Sequence, residues 1–201
     1  MQRMTPTTDV DGFVLAGGRS GRMGRDKARM RFPADAPMAV HVASVVEQVC
    51  RRVAVIRRTD DAAVWRRRDG TPLEVVHESE TKPRHPLRGL VTACEAARAD
   101  WLLVVPCDVP YLTPDDLKTL LTAATTASRP PSVDPVRATV IACADSRMHP
   151  LVGVFPRAIR AAAARAADEE RAARHFLADA RRVELAAAAL RNINTPNDLQ
   201  S

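Results

Sequence analysis

A glycine-rich, basic segment near the N-terminus carries the residues best suited to phosphate chemistry. Residues 15–27 read LAGGRSGRMGRDK and contain four glycines and four basic side chains. Glycine lets backbone N–H groups approach phosphate oxygens without an intervening Cβ, and successive N–H groups form an anion-binding concavity. The segment therefore predicts a phosphate cradle rather than a surface turn without a ligand. Its basic side chains are Arg19, Arg22, Arg25 and Lys27.

Two better-known phosphate-binding loops do not fit this segment. A P-loop ends in Gly-Lys-Ser or Gly-Lys-Thr, whereas Lys27 lies between Asp26 and Ala28. A dinucleotide-binding fingerprint needs three spaced glycines, and Ala16 stands where the first would be.

A single carboxylate follows the most apolar stretch of the chain. Residues 101–105 (WLLVV) predict a central buried strand, and residues 106–110 (PCDVP) follow it directly. Mg²⁺ in nucleotide enzymes favours one or two carboxylates completed by phosphate oxygens and water. We therefore expect Asp108 to hold a metal ion. The alternative, that Asp108 caps the next helix, is weakened because Thr113 already supplies a cap.

Histidine and cysteine residues near these segments suggest no further chemistry. His85 and His149 are interpreted as loop residues near the substrate, because phosphoryl transfer needs positioning and charge neutralisation more than proton transfer. Cys107 is interpreted as a small buried apolar residue. No C-x-x-C pair occurs among the four cysteines, which disfavours a zinc or redox motif and indicates a reducing compartment.

The charge and composition narrow the class of partner. The net charge is +6, but the arginines are scattered and aromatic residues make up only 3% of the chain, which argues against nucleic-acid binding. Arginine clusters at 51–52, 57–58 and 66–68 are interpreted as solvated faces, with attraction of polyanionic substrates as the alternative. No secretory signal or apolar run of membrane-spanning length occurs, so we expect a cytoplasmic protein without a membrane partner.

Apolar runs that alternate with helical patterns must position these residues. The alternation predicts a Rossmann-like, three-layer α/β domain over residues 11–201 with a mostly parallel central sheet, after a disordered lead-in at 1–10. The loops after the first and the central strand then lie at one edge, where ligands bind. The predicted strands are 12–16, 52–56, 73–77, 101–105, 138–142, 151–155 and 182–186. The predicted helices are 38–50, 60–68, 86–98, 113–126 and 156–178, the last broken near residue 168, and 128–135 is predicted to be a linker.

Five segments in this order resemble the molybdenum cofactor guanylyltransferase family. The first resembles that family's L-A-G-G-x-x-x-R-M-G-x-D-K signature without a gap. The others are similar to its P-L-x-G-L, P-x-D-x-P, H-P and N-x-N-T-P elements. They lie at residues 15–27, 86–90, 106–110, 149–151 and 192–196, so the resemblance spans nearly the whole chain.

The resemblance implies a nucleotide-diphospho-sugar transferase-like fold and Mg²⁺-dependent transfer of GMP from GTP to Mo-molybdopterin. It implies catalytic roles for Lys27, Arg22 and Asp108, with Asp108 as the metal ligand. It implies neither a nucleic-acid nor a membrane partner, and leaves open transient contact with other proteins of molybdenum cofactor biosynthesis. The nucleotide- and cofactor-binding positions that it implies are Leu15, Ala16, Gly17, Gly18, Lys27, Glu80, Pro86, Leu87, Asp108, Asn192 and Asn194, of which the two asparagines would face the pterin.

Recognition of the base is where the chain departs from the family pattern. An aspartate that helps recognise guanine lies shortly before the P-L pair in the family, and here only Glu78 or Glu80 is available, so these two and the backbone stay open. His85 replaces a common glycine, and residues 55–59 (VIRRT) lack a common asparagine. A cytidylyltransferase acting on the same cofactor is the nearest alternative. The loop of that group begins with L-A-A-G. Gly18 is expected to stand in place of the second alanine, and its lack of a Cβ is expected to leave room for a purine. A non-catalytic, basic nucleic-acid-binding protein is a more distant alternative.

Overall fold

A computed structural model describes residues 10–17, 26–32, 36–58, 64–79, 82–125, 134–194 and 198. Its strands are β1 (Val10–Leu15), β2 (Val53–Arg57), β3 (Glu74–His77), β4 (Trp101–Pro106), β5 (Val140–Ala144), β6 (Arg147–Pro156) and β7 (Arg181–Glu184). Its helices are α1 (Met38–Val46), α2 (Pro86–Ala96), α3 (Pro114–Thr125), α4 (Pro135–Ala138), α5 (Arg160–Asp168) and α6 (Ala173–Phe176), with 3₁₀ turns at Lys27–Arg29 and Arg157–Ile159. None of the described helices is both long and apolar enough to cross a membrane.

The seven strands form one sheet in the order β3-β2-β1-β4-β6-β5-β7. Only β6 runs antiparallel to its neighbours, which confirms the mostly parallel sheet and the central place of β4. Successive residues of the central strands point to opposite faces of the sheet. Val14 and Leu103 thus enter the core on the side of α1 and α3, whereas Phe13 and Leu102 enter the core on the side of α2 and α5. This arrangement confirms the three layers.

Backbone register brings the ends of four parallel strands together at one edge of the sheet. Leu15 of β1 pairs with Pro106 of β4, and the Cys107 N–H then donates to the Leu15 carbonyl at 2.9 Å. On the other side, the Ala16 N–H donates to Ile56 at 2.9 Å, and the Glu78 N–H donates to the last residue of β2 at 2.7 Å. The loops that follow β1, β2, β3 and β4 therefore start side by side. We call this edge the rim.

Local sequence explains where the helices beside the rim begin. Thr113 accepts a hydrogen bond from the Asp116 N–H at 3.2 Å, and Asp116 accepts from the Thr113 N–H at 2.9 Å, so α3 starts with a reciprocal capping box. His85 Nδ1 accepts from the Leu87 N–H at 3.2 Å, and Pro86 occupies the first position of α2. His85 therefore has a structural role as the cap of α2.

The structure differs from two of the predicted helical and linker segments, and it confirms the interruption of a third. The described part of the predicted helix 60–68, residues 64–68, is not helical. Residues 135–138, predicted as linker and strand, form the short helix α4, because the Asp134 side chain caps it and Pro135 occupies its first position. The predicted helix 156–178 is interrupted after Asp168, as expected, and α6 follows.

The structure extends β6 well before its predicted start at residue 151. Asp145 and Ser146 have φ of 50° and 64°, the left-handed conformation of a two-residue hairpin turn, so β6 begins at Arg147 and returns antiparallel to β5. The run DSRMHP, residues 145–150, predicts a loop because Asp, Ser and Pro are turn residues. A register shift against β5 between Ile141 and Ala142 leaves Pro150 and its two successors out of the ladder, which is where a strand tolerates proline.

Candidate active site

Lys27, Asp108 and Asn194 meet at the rim although they are distant in sequence. Lys27 Nζ lies 3.7 Å from Asp108 Oδ2 and donates a hydrogen bond to Asn194 Oδ1 at 2.8 Å. Lys27 begins a 3₁₀ turn that is capped by Asp26, whose side chain accepts from the Ala28 N–H at 3.1 Å. The structure thus brings together three of the residues singled out from the sequence.

The segment after β4 that carries Asp108 is held from several sides. The Ile193 N–H donates to the Asp108 carbonyl at 2.8 Å, and the Ile193 side chain is fully buried. His41 Nε2 donates to the Pro110 carbonyl at 3.0 Å and so ties the segment to α1. Asn192 and Asn194 flank the anchored Ile193, which explains why both come close to Asp108.

A cavity of about 390 Å³ opens beside Asp108 because β6 diverges from β4. The two strands pair only as far as Val104 and Gly153, and the stretch of β6 that precedes this point lies apart from β4. The cavity is mainly apolar. Its polar lining comes from Asp108, His149, Arg174 and Asn192, and its apolar lining includes Pro86, Pro106, Val109, Pro150, Leu151 and Val152. Asn192 Oδ1 is buried and has no hydrogen-bond partner among the described residues.

Burial sets the ionisation of the two titratable groups in this cavity. Burial raises the pKa of Asp108, against the opposing effects of the nearby Lys27 ammonium and of His149. Burial and the charge of Arg147 lower the pKa of His149, and Asp108 opposes that shift. His149 is therefore neutral at neutral pH and can accept or donate a hydrogen bond. The burial of this carboxylate is costly, and the Lys27 ammonium offsets part of that cost.

Glu78 fills the space left by the missing Cβ of Gly17. An ideal Cβ on Gly17 would lie 2.6 Å from Glu78 Oε1, and one on Gly89 of α2 would lie 3.4 Å from the same oxygen. Burial raises the pKa of this carboxyl, and the charges of Arg58, Arg84 and Arg88 oppose the shift. The end of β3 therefore presents a half-buried carboxylate to the start of the glycine segment.

Arg57 is a buried residue that the sequence analysis missed. Its side chain is only 5% exposed, so the interpretation of the pair 57–58 as a solvated face is wrong for this residue. Nη1 donates to the Ala16 carbonyl at 2.6 Å, Nη2 contacts Asp26 Oδ2 at 2.6 Å, and the guanidinium lies 5.2 Å from the ring centroid of Trp65. The available signal was its place as the last residue of the apolar run VAVIR, at the end of a strand that leads to the rim.

The remaining predicted site residues occupy different surroundings. Leu87 is fully buried in the core between the sheet and α2, and Ala16 is buried, whereas Pro86 lines the cavity. Leu15 is partly buried, with its side chain beside Gly89. Cys107 is buried in the core, and burial raises the pKa of its thiol. Gly18, Arg22 and Glu80 lie outside the described residues.

The family model of the MobA-like NTP transferase domain matches residues 12–185. The chain belongs to the MobA-like NTP transferase family. The matched region contains the whole rim except Asn192 and Asn194, and it ends one residue after β7.

Individual relatives of this MobA-like chain agree with the family model. The chain is 31% identical over 121 residues to the molybdenum cofactor guanylyltransferase of Ralstonia nicotianae, a match that covers 60% of this chain and 57% of that relative. It is 29% identical to the probable molybdenum cofactor guanylyltransferase of Rhodopirellula baltica, over 94% of this chain and 89% of the relative. Against several curated relatives, including the Ralstonia protein, the match thus spans little more than half of their length.

A solved structure supports the fold of this MobA-like chain. The molybdopterin-guanine dinucleotide biosynthesis protein A of Archaeoglobus fulgidus superposes with a TM-score of 0.71 at 18% identity, over 94% of this chain and 95% of that one. The similarity confirms the nucleotide-diphospho-sugar transferase-like fold.

In the glycine segment of this MobA-like chain, the residue that differs from the L-A-A-G pattern is Gly17. Aligned letter by letter, L-A-G-G at residues 15–18 differs from L-A-A-G at Gly17 and not at Gly18. The missing Cβ therefore belongs to the glycine that faces Glu78. The expectation for Gly18 is wrong by one position.

The donor set at the rim fits a phosphate-completed magnesium site better than a protein cage. No cluster of three or more His, Cys, Asp or Glu side chains that could hold a metal occurs in the part of the chain that the structure describes. Asp108 provides a single partly exposed carboxylate next to the cavity. Such a carboxylate suits Mg²⁺, which keeps several waters and takes its other ligands from substrate phosphates.

Proposed function

We propose that this chain is a molybdenum cofactor guanylyltransferase. The terminal phosphate of Mo-molybdopterin attacks the α-phosphorus of GTP through one oxygen. The bond from that phosphorus to the oxygen bridging the α- and β-phosphates breaks, and pyrophosphate leaves. The observation that carries the proposal is the convergence of Lys27, Asp108 and Asn194 beside an open cavity. The names of the curated relatives supply the identities of the two substrates.

Lys27 is proposed to neutralise charge on the triphosphate and on the phosphorus under attack. Its side chain is 19% exposed and its ammonium is directed by Asn194 and Asp108, so it reaches the rim as an oriented cation. Preorganised cations of this kind stabilise charge that develops in the transition state. Arg22 is proposed to add positive charge on the same side, on the strength of the family resemblance.

Asp108 is proposed to hold Mg²⁺. The ion, when bound, neutralises phosphate charge and aligns the reacting groups. The free carboxylate is already balanced in part by the ammonium of Lys27 at 3.7 Å. Asp108 therefore places one carboxylate, as a ligand for the ion, where the two phosphorylated substrates would meet.

Glu78 is proposed to read the guanine base. A carboxylate accepts two hydrogen bonds, and the Watson–Crick edge of guanine offers two adjacent donors, N1–H and the 2-amino group. The corresponding edge of cytosine carries acceptors at O2 and N3 and only one donor, so the same carboxylate would repel it. The close approach of Glu78 to Gly17 supports this assignment, because the missing Cβ lets the carboxylate lie at the start of the glycine segment, where the nucleotide would bind.

The cavity between β4 and β6 is proposed to take the pterin. Its volume of about 390 Å³ lies in the range of small-molecule sites, and its apolar residues suit a flat ring system. The buried and unpartnered Asn192 Oδ1 would accept a hydrogen bond from an N–H group of the pterin.

The division of the chain at residue 11, with one domain over 11–201, remains a prediction.

A nucleotide comparison tests the proposal. Purified protein is supplied with Mo-molybdopterin, Mg²⁺ and each of GTP, CTP, ATP and UTP in turn, and pyrophosphate release and the dinucleotide product are measured. Of the four nucleotides, we expect only GTP to give the dinucleotide product. We also expect activity to be lost after chelation of the metal. Preferred use of CTP would identify a cytidylyltransferase instead. Binding of DNA or RNA that survives both chelation and Asp108→Asn, with no transfer, would support the non-catalytic alternative.

A further inference from the structure

We infer that Arg57 is a positioning residue that fixes the position and direction of the Lys27 side chain. Its guanidinium joins the carbonyl of Ala16, at the end of β1, to the carboxylate of Asp26, immediately before Lys27. The inference rests on the proposed role of Lys27 in binding the triphosphate. It adds a residue that neither the family motifs nor the comparisons single out.

The contacts run from Arg57 through Asp26 to the backbone turn that carries Lys27. Arg57 Nη2 donates to Asp26 Oδ2 at 2.6 Å, and Asp26 Oδ1 accepts from the Ala28 N–H at 3.1 Å. That second contact fixes the start of the 3₁₀ turn Lys27–Arg29. Because Lys27 directly follows Asp26, a shift of this carboxylate would move the base of the lysine side chain.

A lysine could not replace Arg57 in this place. The two acceptors, the Ala16 carbonyl and the Asp26 carboxylate, belong to different segments, and one planar guanidinium reaches both. A lysine ammonium is a compact point charge and lacks the rigid fork. The stacking of the guanidinium on Trp65 further fixes its plane.

Arg57 does not act as a phosphate ligand itself. Its side chain is 5% exposed, and its charge is directed to Asp26. An anion that approached the rim would meet Lys27 first, since that side chain is 19% exposed. The effect of Arg57 must therefore pass through the protein to Lys27.

Arg52, at the other end of the same strand, provides a matched control. It is 17% exposed, donates to Asp11 and Glu74, and also donates to the Ala96 carbonyl at 3.1 Å. It thus resembles Arg57 in its mixture of carboxylate and carbonyl partners, although its side chain is more exposed than that of Arg57, at 17% against 5%. However, it lies at the edge of the sheet opposite to the rim.

The test measures binding of GTP with Mg²⁺ by calorimetry in Arg57→Lys, Lys27→Met and the double variant. We expect Arg57→Lys to weaken GTP binding by roughly tenfold, the size of one charge-assisted hydrogen bond from a displaced Lys27 to the triphosphate. In the Lys27→Met background the same change should alter affinity by less than about twofold, because residues that act through one contact are not additive. Arg52→Lys should lower the melting temperature and leave GTP affinity at the wild-type value.

Three outcomes would overturn the inference. The first is a wild-type affinity for GTP in Arg57→Lys. The second is a double variant that binds GTP a full tenfold more weakly than Lys27→Met, which would mean that Arg57 acts on the fold alone. If Arg57→Lys does not fold, Asp26→Asn replaces it, since asparagine still caps the turn but removes the charge that Arg57 holds; wild-type affinity there also overturns the inference. Absence of GTP binding by the wild type would instead refute the proposed function, and the role of Arg57 with it.

Discussion

Replacement of Glu78 by glutamine should weaken the binding of GTP and at the same time stabilise the folded protein. Glutamine keeps the shape of the side chain but offers one acceptor and a donor in place of two acceptors. One charge-assisted hydrogen bond to the base is then lost, about 1.5–3 kcal/mol, or roughly ten- to hundredfold in affinity. The amide N–H₂ would also face a donor of guanine, which adds repulsion.

The expected gain in stability follows from the raised pKa of Glu78. Its ordinary value is 4.5, and burial raises it in the folded state. A carboxyl whose folded pKa is raised favours folding fully below its unfolded pKa, and this contribution is lost as the pH rises through the folded pKa. The glutamine variant has no such loss. Its melting temperature should therefore equal that of the wild type near pH 4 and exceed it at pH 7.

Thermal melts from pH 4 to pH 8 and calorimetry with GTP check both parts of this prediction. Glu74→Gln is the matched control, because Glu74 lies on the same strand but accepts two hydrogen bonds from Arg52 at 3.1 and 2.5 Å, away from the rim. That variant should lose stability at pH 7 and keep its GTP affinity. A glutamine variant of Glu78 that is less stable than the wild type at pH 7, or that binds GTP unchanged, would refute the reasoning.

Three further substitutions test other parts of the rim. Asp108→Asn should fold and lose roughly a hundredfold or more in turnover at saturating Mg²⁺, so near-wild-type rates would remove the metal assignment. Lys27→Ala should weaken GTP in calorimetry and Lys27→Arg should restore binding only in part, since the ammonium acts as a point charge; unchanged affinity in the alanine variant would make Lys27 a surface residue. Gly17→Ala places a Cβ 2.6 Å from Glu78 Oε1 and must displace that carboxylate. It should lower the ratio of kcat/KM for GTP to that for CTP, whereas an unaltered ratio would place base recognition elsewhere.

The positions of Asp108 and Lys27 could be predicted from the sequence because strand polarity decides them. A run as apolar as residues 101–105 is buried in the middle of a parallel sheet, and whatever follows it must lie at the carboxyl edge. The glycine segment follows the first strand and reaches the same edge. The direct contact of Lys27 with Asn194, from the far end of the chain, is not predicted, because the family resemblance implies only that Asn194 faces the pterin.

Arg57 and the cavity show where sequence reasoning stops. A pair of adjacent arginines predicts a solvated face, and only the pairing of the sheet reveals that one of them faces Ala16 and Asp26. The cavity lies where β6 leaves its pairing with β4 beyond Gly153, in a strand that begins after a two-residue turn with positive φ. The apolar run that ends at Arg57 indicates only that its strand reaches the rim, and the cavity has no local composition signal, since each feature depends on contacts between distant segments.

The two halves of the rim differ in sheet direction, and under the proposed function this difference would give the two substrates distinct places. On one side, the parallel strands β1, β2 and β3 end in register, Glu78 lies against Gly17, and Arg57 donates to the Ala16 carbonyl. On the other side, the antiparallel β6 pairs with β4 only as far as Val104 and Gly153, and the cavity lies beside the stretch that is not paired. Lys27 and Asp108 lie where these halves meet. A reaction that joins a nucleotide to a second phosphorylated molecule needs its cations at that boundary, because the phosphorus atom under attack must be reached from both sides.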